Sequence, residues 1–138
     1  MHRRTARNRA CRTFTLVSMT AALLLAGCGE ARLPLSPQGQ AEQLDGARAE
    51  VGLQLIEDYG CVACHTVPGV KGPASMVGPP LENMALRAYV GGVLPNTPDN
   101  LVKWLLDPPA VDPRTAMPDV GMSAADAKHI AAYLLTLH

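Results

Sequence analysis

Two thiols three residues apart, followed at once by an imidazole, stand at Cys61-Val62-Ala63-Cys64-His65. Thiols in the order C-x-x-C-H add to the two vinyl groups of a porphyrin as thioethers. One turn of chain then spans one edge of the macrocycle, and the next residue carries a nitrogen to one face of the iron. A neutral imidazole suits iron of either charge, which makes His65 the expected proximal ligand. Two other uses of C-x-x-C fit less well. A dithiol redox motif needs βαβ surroundings, and the chain has no strand-like run. A zinc ribbon needs a second C-x-x-C, which the sequence lacks. The expectation is one haem c, held covalently by Cys61 and Cys64.

An iron confined to electron transfer needs a second axial ligand, and a Met thioether opposite His favours the ferrous state. Four Met follow residue 28, namely Met76, Met84, Met117 and Met122. Met117 is the expected ligand, because it sits in a Pro-containing irregular segment, precedes Pro118 and lies just before the last helix. A rigid loop there holds a sulfur without depending on a helix face. Met122 is the alternative. Met76 follows the haem motif closely and reads as proximal-side or exposed, and Met84 reads as core packing. His129, off the apolar stripe of its helix, and the final residue His138 read as surface histidines.

The elements that must position these groups are helical. From about Ala41 the pattern turns helical, and Gly52, Leu55, Ile56 and Tyr59 give one apolar face leading into Gly60 and the motif. A loop rich in Gly and Pro follows, with a short helix expected over 81–87. Thr97-Pro98-Asp99 is a helix start, with Leu101, Trp104 and Leu105 as its stripe. Asp107-Pro108-Pro109 is the stop, since a residue before Pro is pushed out of helical geometry. Residues 110–122 read as irregular. Ser123-Ala124-Ala125-Asp126 opens the last helix with a capping-box-like start, and Ala127, Ile130, Ala131 and Leu134 are its buried stripe, with Leu137 near the same face. The fold class is all-α. Aromatic residues make up only 4% of the chain, a thin core that a buried haem would complete.

The N-terminal stretch reads as targeting. Arg3, Arg4, Arg7, Arg9 and Arg12 form a basic region, and Phe14 to Ala26 an apolar run shorter than the roughly 20 residues of a membrane span. Leu25-Ala26-Gly27-Cys28 resembles a bacterial lipobox, which implies cleavage before Cys28 and lipidation of that residue. The expected divisions are a signal peptide at 1–27, a lipidated tether at 28–40 and a folded domain at 41–138. Removing five of the twelve Lys and Arg leaves seven against twelve Asp and Glu, a formal charge of −5. That acidity argues against nucleic acid and for partners with a basic docking surface.

From about residue 48 onward the chain resembles the class I cytochromes c. Gly52 and Ile56, with Ile130 and Tyr133, match that family's crossed N- and C-terminal helices packed round the haem, the glycine allowing close approach. Gly78-Pro79-Pro80-Leu81 is similar to the family's Gly-Pro-x-Leu, in which the Pro carbonyl accepts a hydrogen bond from the ligand histidine. By resemblance Arg87 stands near a haem propionate or is a solvated charge, and Trp104 packs against the haem on the Met side. Pro113 to Pro118 matches the ligand loop. Gly60 departs from the pattern by adding a residue before the first Cys. Ala-Met-Pro followed by Ala-Ala-Tyr-Leu is similar to small bacterial cytochromes and domains associated with terminal oxidases.

The expectation is a periplasmic, membrane-tethered c-type cytochrome that passes single electrons between respiratory complexes, with a terminal oxidase as one acceptor, and is no enzyme. Two rivals stand beside it. One is a haem peroxidase or gas-binding protein with an open sixth position. The other is a fixed subunit through which electrons enter an oxidase or dehydrogenase.

Overall fold

The computed structural model describes residues 44–73 and 75–138. The expected signal peptide, Cys28 and the expected tether lie outside the described residues. Among the described residues, four α-helices, two 3₁₀ turns and one minimal hairpin follow in order: α1 Ala49–Asp58, a turn at Cys61–Ala63, a turn at Met84–Leu86, β1 Tyr89–Val90, β2 Leu94–Pro95, α2 Pro98–Leu106, α3 Pro108–Val111 and α4 Ala124–Leu134. The architecture is helical, as expected, and β1 pairs antiparallel with β2 across a turn containing Gly91 and Gly92, both at positive φ. Among the described residues no helix is long and apolar enough to cross a membrane.

The main packing is α1 against α4, with α2 also laid on α4. Gly52 makes the first contact possible. A Cβ there would fall 2.0 Å from the His129 carbonyl oxygen, so the backbones touch where a side chain would hold them apart. Around that point Ile56, Ala127, Ile130, Ala131 and Leu134 are buried, while Leu101, Trp104 and Leu105 bring the face of α2 to the same core. The caps on α2 and α4 follow the sequence. Thr97 Oγ1 accepts from Asn100 N–H, and Ser123 Oγ accepts from Asp126 N–H. Ser123 also donates to the Asp126 carboxylate at 2.8 Å, so the serine is reached by the side chain as well as the backbone of Asp126.

Several boundaries differ from the sequence reading. α1 begins at Ala49, not near Ala41, because Gly46 at φ +73° turns the chain and Ala47 N–H bonds back to Leu44 O. The helix expected over 81–87 shrinks to one 3₁₀ turn, preceded by Asn83 in the left-handed region at φ 56°. Pro108-Pro109 ends α2 but also starts α3. Proline suits the first turn of a helix, and Asp107 caps it by accepting from Ala110 N–H at 3.0 Å.

Candidate functional site

Gly60, at φ +69°, closes α1 and swings the chain into the 3₁₀ turn that carries Cys61. This additional glycine is the device that lets a helix end and a motif begin within one residue. His65 N–H then bonds to Cys61 O at 2.9 Å, folding the motif on itself. Two tyrosines fasten its flanks to α4. Tyr59 donates to the Asp126 carboxylate at 2.8 Å, and Tyr133 donates to Pro68 O. The bond to Asp126 and then desolvation raise the Tyr59 hydroxyl pKa, and the Ser123 and Tyr59 hydroxyls hold the Asp126 carboxyl below its ordinary value.

Segment 78–81 runs beside the motif, held by Gly78 N–H to Cys64 O and Leu81 N–H to Thr66 O, both 2.8 Å. This places Pro79 O at 2.7 Å from His65 Nδ1. A carbonyl only accepts, so Nδ1 carries the proton and Nε2 keeps its lone pair. Gly78 lies flush against the ring, where a Cβ would come within 2.3 Å of Cε1. Pro79 thus stands where the family resemblance puts it.

Met117 reaches the same cleft from the far part of the chain. Its N–H donates to Thr115 Oγ1 at 3.2 Å, while Thr115 N–H donates to Asp112 O at 3.0 Å. Asp112 Oδ1 in turn accepts from both Arg114 N–H and Arg114 Nε, at 3.0 and 3.2 Å. The backbone donor first, and the guanidinium after it, hold the Asp112 carboxyl below its usual range.

His65, Cys64, Pro79, Arg87, Trp104 and Met117 all line one cleft of about 360 Å³. Its remaining lining is mostly apolar, from Leu81, Met84, Leu101, Leu105 and Leu134. Arg87 is the only Lys, Arg, Asp or Glu among the lining residues. Its guanidinium donates to Pro80 O and Glu82 O. Trp104 is buried with its ring against Gly91, where a Cβ would fall 2.5 Å away. Cys61 is half-buried against the core and outside the cleft lining, and burial pushes its thiol pKa up. Among the other methionines, Met76 is 96% exposed, Met84 is buried and also faces the cleft, and Met122 is buried away from it.

These residues fit a haem. The two glycines keep the imidazole and the indole uncrowded in a largely apolar cleft, and the donors facing it are an oriented imidazole and a thioether. Among the described residues no group of three or more His, Cys, Asp or Glu is gathered to hold a metal ion, so a zinc site has no donor set.

Two residues escaped the sequence reading. Asn96 donates to Met84 O at 2.8 Å and to Arg87 O at 3.0 Å, which braces the segment carrying Arg87. Its neighbours Thr97 and Pro98 mark a helix start, and nothing local marks a buried amide. His129, expected at the surface, is half-buried and accepts from Arg48 N–H at 2.8 Å, capping α1 from α4.

A family model for cytochrome c matches residues 49–138. The cytochrome c oxidase subunit 2 of Alkalihalophilus pseudofirmus is 31% identical over 99 residues, covering 71% of this chain and 28% of that protein. The cytochrome c oxidase subunit 2 of Bacillus sp. is 36% identical over 66 residues, 46% of this chain and 18% of that protein. The chain therefore spans under a third of the length of these relatives.

Proposed function

This chain belongs to the cytochrome c family and is a haem electron-transfer protein, and on that premise we propose that it carries single electrons between membrane respiratory complexes. The observation that carries this reading is the meeting of His65 and Met117 in one apolar cleft, each held by backbone hydrogen bonds of its own loop. When bound, the haem supplies one-electron chemistry between ferric and ferrous iron. Cys61 and Cys64 would hold the group covalently. His65, its Nδ1 committed to Pro79 O, would hold the iron through Nε2, and Met117 would hold it through its sulfur. Trp104 and the leucines exclude water, and Arg87 offers a cation to a propionate. With His65 and Met117 both holding the iron, no position would stay open for a substrate, and the chain would have no turnover of its own.

In this reading, Cys28 is lipidated, so the domain works in the periplasm within reach of a membrane. The two relatives named as oxidase subunits support a terminal oxidase as the acceptor. The same names favour a second reading, a subunit held permanently in such a complex. Co-purification after gentle detergent extraction supports the fixed subunit, and release of the cytochrome alone supports the carrier.

The ligand set is tested by adding carbon monoxide to the dithionite-reduced, haem-loaded protein at neutral pH. An unchanged spectrum is expected. A prompt shift overturns the carrier reading and points to ligand binding or peroxide chemistry.

A further inference from the structure

We infer that Asp112 is a positioning residue for the Met117 loop, acting as the clasp that keeps the sulfur at the cleft. The inference rests on the reading of Met117 as an axial ligand. Asp112 is fixed from behind, since its N–H bonds to Pro108 O at 2.9 Å and so ties it to α3. Its side chain is 18% exposed, while that of Arg114 is 86% exposed. The carboxylate is therefore the more covered partner, and the cation beside it lies in solvent. Three donors converge on this one residue within the next three positions: Arg114 N–H and Nε on Oδ1, and Thr115 N–H on the carbonyl. Thr115 then passes the constraint on by accepting from Met117 N–H.

Each bond in this series turns the chain tightly, in the manner of the Asx and ST turns that short polar side chains make. Pro113 and Pro118 stiffen the same stretch. No regular element holds residues 112–122, so the loop depends on these local bonds to stay closed. An exposed ion pair contributes little. The working part of the clasp is the carboxylate oxygen on the Arg114 backbone N–H, not the guanidinium.

The test is the rate at which imidazole displaces Met117 in the ferric, haem-loaded protein, set beside the rate of global unfolding in denaturant. Asp112→Ala should speed displacement about tenfold, the scale of a lost hydrogen bond to a charged group. Asp112→Asn keeps an oxygen for Arg114 N–H and should stay within about threefold of wild type, and Arg114→Ala within about twofold. A general weakening of the fold would move global unfolding in step with displacement, whereas a clasp moves displacement further. Where Asp112→Ala yields no haem-loaded protein, Thr115→Val cuts only the last bond and should speed displacement about fivefold.

The inference is overturned if Asp112→Ala, or Thr115→Val in its place, matches wild type, or if Arg114→Ala equals Asp112→Ala. It is also overturned if displacement and unfolding rise together. A wild-type protein whose reduced form binds carbon monoxide promptly sinks the ligand reading itself. One inert to carbon monoxide, with an Asp112→Ala variant like wild type, sinks the clasp alone.

Discussion

Gly78 is the position where the smallest change should disturb the site most. A Cβ built there lies 2.3 Å from Cε1, 2.5 Å from Nδ1 and 2.8 Å from Nε2 of His65. Ordinary contact begins at 3.4 Å, so the ring must withdraw by about 1 Å in the Gly78→Ala variant. The ring cannot do so freely, because Nδ1–H bonds to Pro79 O at 2.7 Å and the backbone of Gly78 is tied to Cys64 O. A withdrawal of that size carries Nδ1 past hydrogen-bond distance, a loss of about 1 kcal/mol, with overpacking of roughly 1–3 kcal/mol added. The lost bond also lowers imidazole basicity, which favours ferric iron less. A difference of about 1 kcal/mol between oxidation states corresponds to roughly 40 mV for one electron. The haem-loaded variant should therefore show a raised midpoint potential by redox titration, together with a lower unfolding midpoint. A variant with wild-type potential and stability would refute the argument that Gly78 is needed for the space it leaves.

Gly52→Ala forces a Cβ against the backbone of His129 and Ile130, which cannot rotate away. Overpacking near the upper end of roughly 1–3 kcal/mol, less about 1 kcal/mol of helix propensity, predicts a net loss near 2 kcal/mol in chemical denaturation. Exposed Gln54→Ala should be neutral, and a Gly52→Ala protein as stable as wild type would disprove the close crossing. Asp126 titrates below its ordinary value because Ser123 and then Tyr59 hydrogen-bond its carboxylate. Its contribution to stability is thus present above the unfolded value of about 3.9 and is lost as pH falls through the lower folded value. Asp126→Asn should flatten that acid limb in pH-dependent unfolding, and an unchanged limb would remove Asp126 from the account.

Features whose cause lies within a few residues were legible in the sequence. Thr97 and Ser123 mark their helices by side chains that bond three residues on, and Cys61 to His65 state their chemistry by spacing alone. Met117 was legible from its Pro-flanked loop just before the last helix and Gly78-Pro79 through the family resemblance, and both stand at the cleft. What escaped depends on distance. His129 is a cap only because Arg48, 81 positions away in sequence, arrives beside it, and no local pattern encodes that. Asn96 was hidden for the same reason, since its partners are carbonyls of another segment. α3 was missed because a Pro pair stops one helix and permits the next, and the deciding cap, Asp107, serves both ends.

The bonds from Tyr59 to Asp126 and from Tyr133 to Pro68 join residues 67 and 65 positions apart. Contacts of such long range form late, since the loop they close costs entropy before it returns anything. Without α4 in place, neither flank of the Cys61–His65 segment has its tyrosine bond. Once α4 docks, both flanks are fastened in a single event.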